Sequence, residues 1–308
     1  MRPTLSLTLL STLVGVSTLA AISACVGSTG PDRTLPFQIA YQWQTADLSA
    51  ATLLIDQTGA DKGVLAKTGD EYFHASFSPD GTLLLHDGIA TNQIYVVDLR
   101  TGVETQLTQG SPGSQSPAWS PDGTTIGFLR APNVPTNGFG LYVMRADGSY
   151  VRQLVSEGFA ASGMAWSPDG RFLAVTSLYY GLVLVDATTG TVRRSLNPGA
   201  TAYEADFSPD GKEIAYNVES GGAVNIYVSN VDGTNIRALT SSGFGSGYRV
   251  FPRWSPDGSM LAYYTYVRDS SSGPLLPAIG LMSRDGTPIS LNGGATLHGS
   301  APFWRRTP

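Results

Sequence analysis

The chain has a single cysteine, Cys25, in 308 residues, and that scarcity excludes a disulfide framework, so stability has to come from packing. It holds only three histidines, of which His74 and His298 alone are expected on innermost-strand approaches, and two are too few for a convincing zinc or manganese site without a carboxylate from the same neighbourhood. No Gly-x-Ser-x-Gly segment occurs, which leaves a serine-hydrolase triad without sequence support. Basic residues are outnumbered, 19 Lys and Arg against 24 Asp and Glu for a net charge of -5. No basic tract or stripe breaks that balance, so nucleic acid is not an expected partner.

What the chain has in abundance is one phrase written five times. An aromatic residue followed by Ser-Pro-Asp-Gly stands at 77–81, 119–123, 166–170, 207–211 and 254–258, with the aromatics 42, 47, 41 and 47 positions apart. A period of that length, built from strands and tight turns, marks a β-propeller. Each turn has a mechanism. Proline presets φ at the second position, aspartate bonds forward to backbone N–H groups, and glycine takes the positive φ that closes the hairpin. The five turn aspartates, Asp80, Asp122, Asp169, Asp210 and Asp257, are therefore structural, not a catalytic or calcium-binding array. Sialidase-type Asp boxes also differ, because they place a residue between the aspartate and the glycine.

Within 166–207 a strand ends at Trp166, a second runs over 171–177, a third over 181–186 and a fourth over 191–196, giving one four-stranded antiparallel blade. The aromatic before each turn is expected to wedge between neighbouring blades. At the ends, residues 37–43 read as a second strand without a first, while Pro302, Phe303 and Trp304 repeat the spacing of a first strand without a second. The expectation is an all-β fold, a six-bladed β-propeller over 37–308, closed by pairing of the N- and C-terminal strands so that no long edge is exposed.

The repeats resemble the WD40-like propeller repeats of the TolB family. That family shares the aromatic-Ser-Pro-Asp-Gly turn and a segment like Ile-Tyr-x-x-x-x-x-Asp-Gly-x-x-x-x-x-Leu-Thr, which here stands at 94–108, 141–155 and 226–240. The likeness covers about 37–304. It implies a propeller that binds partners, and it is limited to the propeller, since the segment before Phe37 is too short for the extra N-terminal domain of TolB proteins.

The first 25 residues carry a different message. Arg2 precedes a stretch rich in Leu, Val, Ala, Ser and Thr that ends Ile22-Ser23-Ala24-Cys25, the form of a secretory signal. Its end resembles a bacterial lipobox, which implies cleavage after residue 24 and a diacylglycerol on Cys25. Residues 1–24 are thus expected as a lipoprotein signal peptide and 25–36 as the lipidated cysteine plus a flexible tether spanning roughly 20 Å. Val26 lacks the aspartate that resembles an inner-membrane retention signal, so the expected location is the bacterial cell envelope, on the outer membrane where the cell has two.

Topology assigns a working face. The Ser-Pro-Asp-Gly turns and the third-to-fourth turns share one face, while the longer, variable loops and the links between blades lie on the other, where binding usually resides. First strands approaching the channel on that loop face bring His74, Gln115, Ser116, Tyr203, Glu204, Arg249 and His298 towards its mouth as candidate binding residues. Glu204 is expected three blades from His74, which argues against a shared metal site, and no catalytic residue or cofactor is assigned. The reading is a monomeric, lipid-anchored, non-enzymatic module that binds an envelope protein, peptide or glycan. Its alternative is a propeller enzyme of lyase or lactonase type, acting on carbohydrate or lactone with a metal at the channel mouth.

Overall fold

A computed structural model describes residues 37–44, 50–55, 61–68, 74–132, 138–196, 201–241, 249–268, 275–290, 297–298 and 300–306. Cys25 and the expected signal and tether lie outside these. Every regular element among the described residues is a β-strand, as a chain punctuated by Ser-Pro-Asp-Gly turns requires.

Each turn motif opens one antiparallel meander. In repeat one the order is Ala75–Phe77, Leu83–Gly88, Gln93–Asp98 and Glu104–Gln106. In repeat four it is Thr201–Phe207, Glu213–Ser220, Ala223–Asn230 and Arg237–Ala238. Repeat five runs through Arg249–Trp254, Met260–Arg268, Leu275–Ser283 and Pro288–Ile289. Repeat two is Ser114–Trp119, Thr125–Arg130, Phe139–Arg145 and Arg152–Phe159. Repeat three is Ala165–Trp166, Phe172–Ser177, Gly181–Asp186 and Val192–Ser195. A pairing of Phe159 with Ser177 links these last two into one sheet. A further sheet takes strands from both ends of the described chain. Phe37–Gln44 pairs with Ser300–Arg306 on one side and with Ala50–Ile55 on the other, with Ile39 opposite Trp304 and Ala40 opposite Phe303.

The turns are held as their residue types dictate. In repeat three the Ser167 hydroxyl donates to Asp169 Oδ1 at 2.6 Å, the same oxygen accepts the Arg171 N–H at 3.0 Å, and Gly170 N–H closes on Ser167 O at 2.9 Å. Asp80, Asp122, Asp210 and Asp257 repeat the serine contact at 2.5–2.6 Å. The motif glycines have φ of 68–72°, a region that costs any other residue about 1 kcal/mol or more.

Apolar packing runs between successive sheets. Trp119 lies with Leu85 and Ile94 of repeat one, Trp254 with Ala215, Ile226 and Val228 of repeat four, and Phe207 with Ala165, Ala174 and Leu184 of repeat three. Ile39 and Tyr41 of the terminal sheet pack on Ala262, Ile279 and Leu281 of repeat five, while Ala40 and Phe303 pack on Leu84 and Val97 of repeat one. Each wedge aromatic removes a large apolar surface from water, worth about 1.5–3 kcal/mol when fully buried. Two of the indoles are also tied across the junction, Trp166 Nε1 donating to Ala118 O at 3.1 Å and Trp304 Nε1 to Arg253 O at 2.8 Å.

Candidate binding site at the propeller axis

Three residues before the wedge aromatic, the first strand bulges in repeats two, four and five. Ser116, Glu204 and Phe251 occupy this position with φ of 53°, 56° and 57°, and the pairing register breaks at each, between Gln115 and Ala118, Tyr203 and Asp206, and Val250 and Arg253. A bulge bends the strand and re-aims its side chain. Here it turns these residues, with His74 and Gly163 at the same offset in repeats one and three, towards one another.

His74 is the hub. Its Nδ1 stands 2.9 Å from Asp87 Oδ2 and its Nε2 stands 3.4 Å from Glu204 Oε1, and the ring is largely buried. Asp87 also accepts the His74 N–H at 3.0 Å and the Ser116 N–H at 2.8 Å. Ser116 Oγ lies 3.4 Å from His74 Nδ1. Glu204 Oε1 accepts the Gly163 N–H at 2.8 Å, and Arg253 comes within 3.7 Å of Glu204 Oε2. Phe251 meets the histidine ring edge-on at 6.3 Å and continues to Tyr264 at 6.4 Å and Tyr266 beyond it.

The electrostatics follow from that sandwich. Burial pushes the His74 pKa down, but the charge and hydrogen bond of Asp87, joined by those of Glu204, outweigh it and carry the value up to about 10. At neutral pH His74 is an imidazolium whose two N–H groups donate to carboxylates on opposite ring edges. Burial likewise works against Asp87 and Glu204 as carboxylates, yet His74 and their backbone donors hold both below their ordinary values. Asp206, on the other side of the bulge, lacks such a partner. Burial pushes it up to about 6, although Arg253 and the Trp254 N–H, 2.7 Å from Oδ2, pull the other way. Both ring nitrogens of His74 are engaged by carboxylates of the protein itself, so the cluster ties repeats one and four together.

His74 and Glu204, expected too far apart to share a site, are in contact across 130 residues of sequence. Side chains that the first strands aim at the axis meet there, whatever their separation along the chain. Ser116 joins them. Gln115 pairs with Leu129 and Tyr203 with Asn217, each one residue before the bulge on its strand. Arg249 pairs with Thr265 at the start of its strand, and the arginine that reaches Glu204 is Arg253. His298 is not on a channel approach. Its backbone pairs with Ala278 of the third strand of repeat five, beyond that repeat's second strand from the axis, and its side chain lies outside the described residues. Asp87, Gly163, Asp206, Phe251 and Arg253 were not singled out from sequence. The signal available was their offset, since Phe251 and Gly163 share the position of His74 and Glu204.

Below the tie lies a cavity of about 350 Å³, walled by Trp119, Trp166, Trp254 and Trp304, floored by His74 and Gly163, and reaching the turn prolines Pro79, Pro121 and Pro256. It opens on the turn face.

Sequential antiparallel meanders packed around a shared axis define the molecule as a β-propeller. Residues 148–273 match the profile described as the TolB beta propeller domain. The chain is 27% identical over 219 residues to an uncharacterized protein of Agrobacterium fabrum, covering 70% of this chain and 62% of that protein. It is 32% identical over 108 residues to an uncharacterized peptidase of Bacillus subtilis, 32% of this chain and 16% of the peptidase. A 65-residue stretch is 42% identical to the Tol-Pal system protein TolB of Gluconobacter oxydans, 21% of this chain and 14% of that one. The chain thus spans less than two thirds of each of these relatives. Among solved structures, TolB from Acinetobacter baumannii superposes with a TM-score of 0.68 at 22% identity, over 87% of this chain and 66% of that one. An oligogalacturonate lyase in complex with manganese superposes at 0.54 and 16% identity, over 82% and 77%. At such identities the likeness is one of fold. The chain has the fold of a β-propeller, and its residues 148–273 are similar to the TolB propeller domain.

Proposed function

We propose that this chain is a closed six-bladed propeller, anchored through a lipid on Cys25, that serves as a non-enzymatic module binding a protein, peptide or glycan at the bacterial cell envelope. The ring of six is supported by the five motif repeats together with the terminal sheet, which packs on repeat one and on repeat five. Anchoring and envelope location are supported by the signal-like start and the lone cysteine after residue 24.

The observation that carries the non-enzymatic reading is the state of His74. Both of its ring nitrogens are taken up within the protein, by Asp87 at 2.9 Å and Glu204 at 3.4 Å, instead of facing an open channel. A scaffold rigidified at its axis, with variable loops on one face, fits capture of a partner better than turnover of a substrate. The test is a photo-reactive residue placed at Gln115 or Tyr203 in the native host, with crosslinked species identified by mass spectrometry and absent when the label is placed at Asp169. Turnover of oligogalacturonate or of a lactone by the purified protein with manganese added, abolished by His74→Ala, would replace this reading with the lyase or lactonase alternative. Mass spectrometry of the mature N-terminus tests the anchor, and an unmodified Cys25 thiol would remove it.

A further inference from the structure

The repeats provide an internal control for one another at the junctions between blades on the turn face. Where repeats four and five meet, a charged pair fills the junction. Arg284 contacts Glu213 Oε2 at 2.9 Å and Asp210 Oδ2 at 3.3 Å, its guanidinium lies 5.4 Å from the Trp254 ring, and Arg237 pairs with Glu213 Oε1 at 3.0 Å.

The same framework recurs between repeats two and three with the pair missing. Ala187 takes the place of Arg284, since its N–H bonds Arg171 O at 3.0 Å as that of Arg284 bonds Ser259 O at 3.0 Å. Thr125 takes the place of Glu213, its carbonyl accepting the Ser120 N–H as that of Glu213 accepts the Ser208 N–H. Arg152 matches Arg237, each pairing with a valine of its third strand, Val143 or Val228. Asp122 and Trp166 match Asp210 and Trp254. Even the weak contact survives, for Arg152 reaches Ala187 O at 3.5 Å as Arg237 reaches Arg284 O at 3.5 Å.

Two other junctions are filled by apolar side chains in these places, Phe172 with Val231 and Leu83 with Ala146. Thr125 and Ala187 are too small to fill theirs, and a cleft of about 630 Å³ opens in front of Trp166. Within it Arg152 meets only two carbonyl oxygens, those of Thr188 at 3.3 Å and Ala187, and has no ion pair among the described residues. The exposed ring of Tyr150, with Arg145 stacked at 3.6 Å, forms its outer wall.

We propose that this cleft is a binding site for a peptide segment carrying an arginine and a carboxylate side by side. The filled junction shows the chemistry. The ligand's carboxylate takes the place of Glu213 and pairs with Arg152, while its guanidinium takes that of Arg284, over the Trp166 ring and against Asp122. Charge-assisted pairs of this planar kind are among the stronger polar contacts, and cation–π contact with an indole adds to them. The site lies off the axis and does not rest on the axial reading.

The experiment titrates the intact protein with the capped peptide acetyl-Arg-Ala-Glu-amide, followed by NMR at the Met144 methyl and the Trp166 indole. A saturable shift at both is expected. Arg152→Ala should weaken binding about tenfold or more, while Arg237→Ala, at the filled junction, should leave it unchanged. The double variant T125E/A187R, which rebuilds a junction this fold already forms, should abolish binding and raise the melting temperature. Absence of a saturable shift at millimolar peptide would overturn the proposal. So would equal binding by capped peptides lacking either charge, or undiminished binding by T125E/A187R.

Discussion

Replacing His74 with alanine removes the cation that holds two buried carboxylates. A rise in its pKa from 6.5 to about 10 corresponds to about 4–5 kcal/mol of folding free energy at about 1.4 kcal/mol per pH step. Breaking a buried ion pair by deleting one partner costs a similar 3–5 kcal/mol or so. Because the folded-state value is raised, the contribution is complete below pH 6.5, where folded and unfolded chains both hold the proton. It drains away as pH climbs towards 10, where the folded state releases its own. Urea unfolding at about pH 6 and about pH 9 therefore separates the tie from ordinary packing. Titration of His74 should take about 3 kcal/mol from the wild type between those conditions, a loss assigned to it by following its ring protons by NMR through the same pH range. At about pH 6 the variant should be less stable by about 3–5 kcal/mol. A ring that loses its proton near 6.5 in the folded protein would show that His74 is not held as an imidazolium, and the account of the tie would fall with it.

Three further outcomes follow from the same geometry. Asp206 has a raised folded-state pKa of about 6, so its charge disfavours folding above that pH and not below about 4. Asp206→Asn should thus stabilise by about 1–3 kcal/mol near pH 8 and lose the gain in acid; an equal effect at both would refute the cause. A Cβ at Gly163 would fall 2.3 Å from Glu204 Oε2, so Gly163→Ala should cost about 1–3 kcal/mol by displacing that carboxylate, and unchanged denaturant stability would mean it has room to move. Truncation after Gly299 removes Ser300–Arg306 and leaves Phe37–Gln44 without one partner; the melting temperature should drop sharply, and a small change would refute the composite blade.

The blades were legible in the sequence because their causes are local. Serine, proline, aspartate and glycine each do one thing in a turn, and four such residues in a row name the hairpin without help from the rest of the chain. Pairing of the two chain ends was legible for a related reason, since each held the strands the other lacked. The axial tie depends on distance through the molecule, which spacing along the chain misreports. Asp87 sits next to the end of Leu83–Gly88, a strand that reads as ordinary core, and only the fold shows that its oxygens meet His74 and the Ser116 N–H. Arg253 reads as the neighbour of a wedge tryptophan, yet it is the arginine beside Glu204 and Asp206. His298 shows the converse error. Counting back from Trp304 puts it on a first strand, but the chain there pairs with Ala278 and Ile279.

Degenerate repeats carry their functional information where the repetition fails. The position three residues before the wedge aromatic is His74, Ser116, Gly163, Glu204 and Phe251 in the five motif repeats, with no two alike. Packing at the axis explains why they must differ. Long side chains from every blade cannot converge on one line at native density, so a long acid from repeat four requires space from a neighbour, and Gly163 supplies both that space and an N–H at 2.8 Å. The acid in turn requires a cation from the opposite side, and His74 is that cation. The junction between repeats two and three obeys the same logic with the opposite result. There Thr125 and Ala187 stand where Glu213 and Arg284 fill their own junction, and no third side chain among the described residues takes up the space. A departure from the repeat that is compensated from within builds the scaffold, as at the axis. One that is left uncompensated exposes charge and aromatic surface at a rigid, preformed cleft, which is the physical condition for binding something from outside.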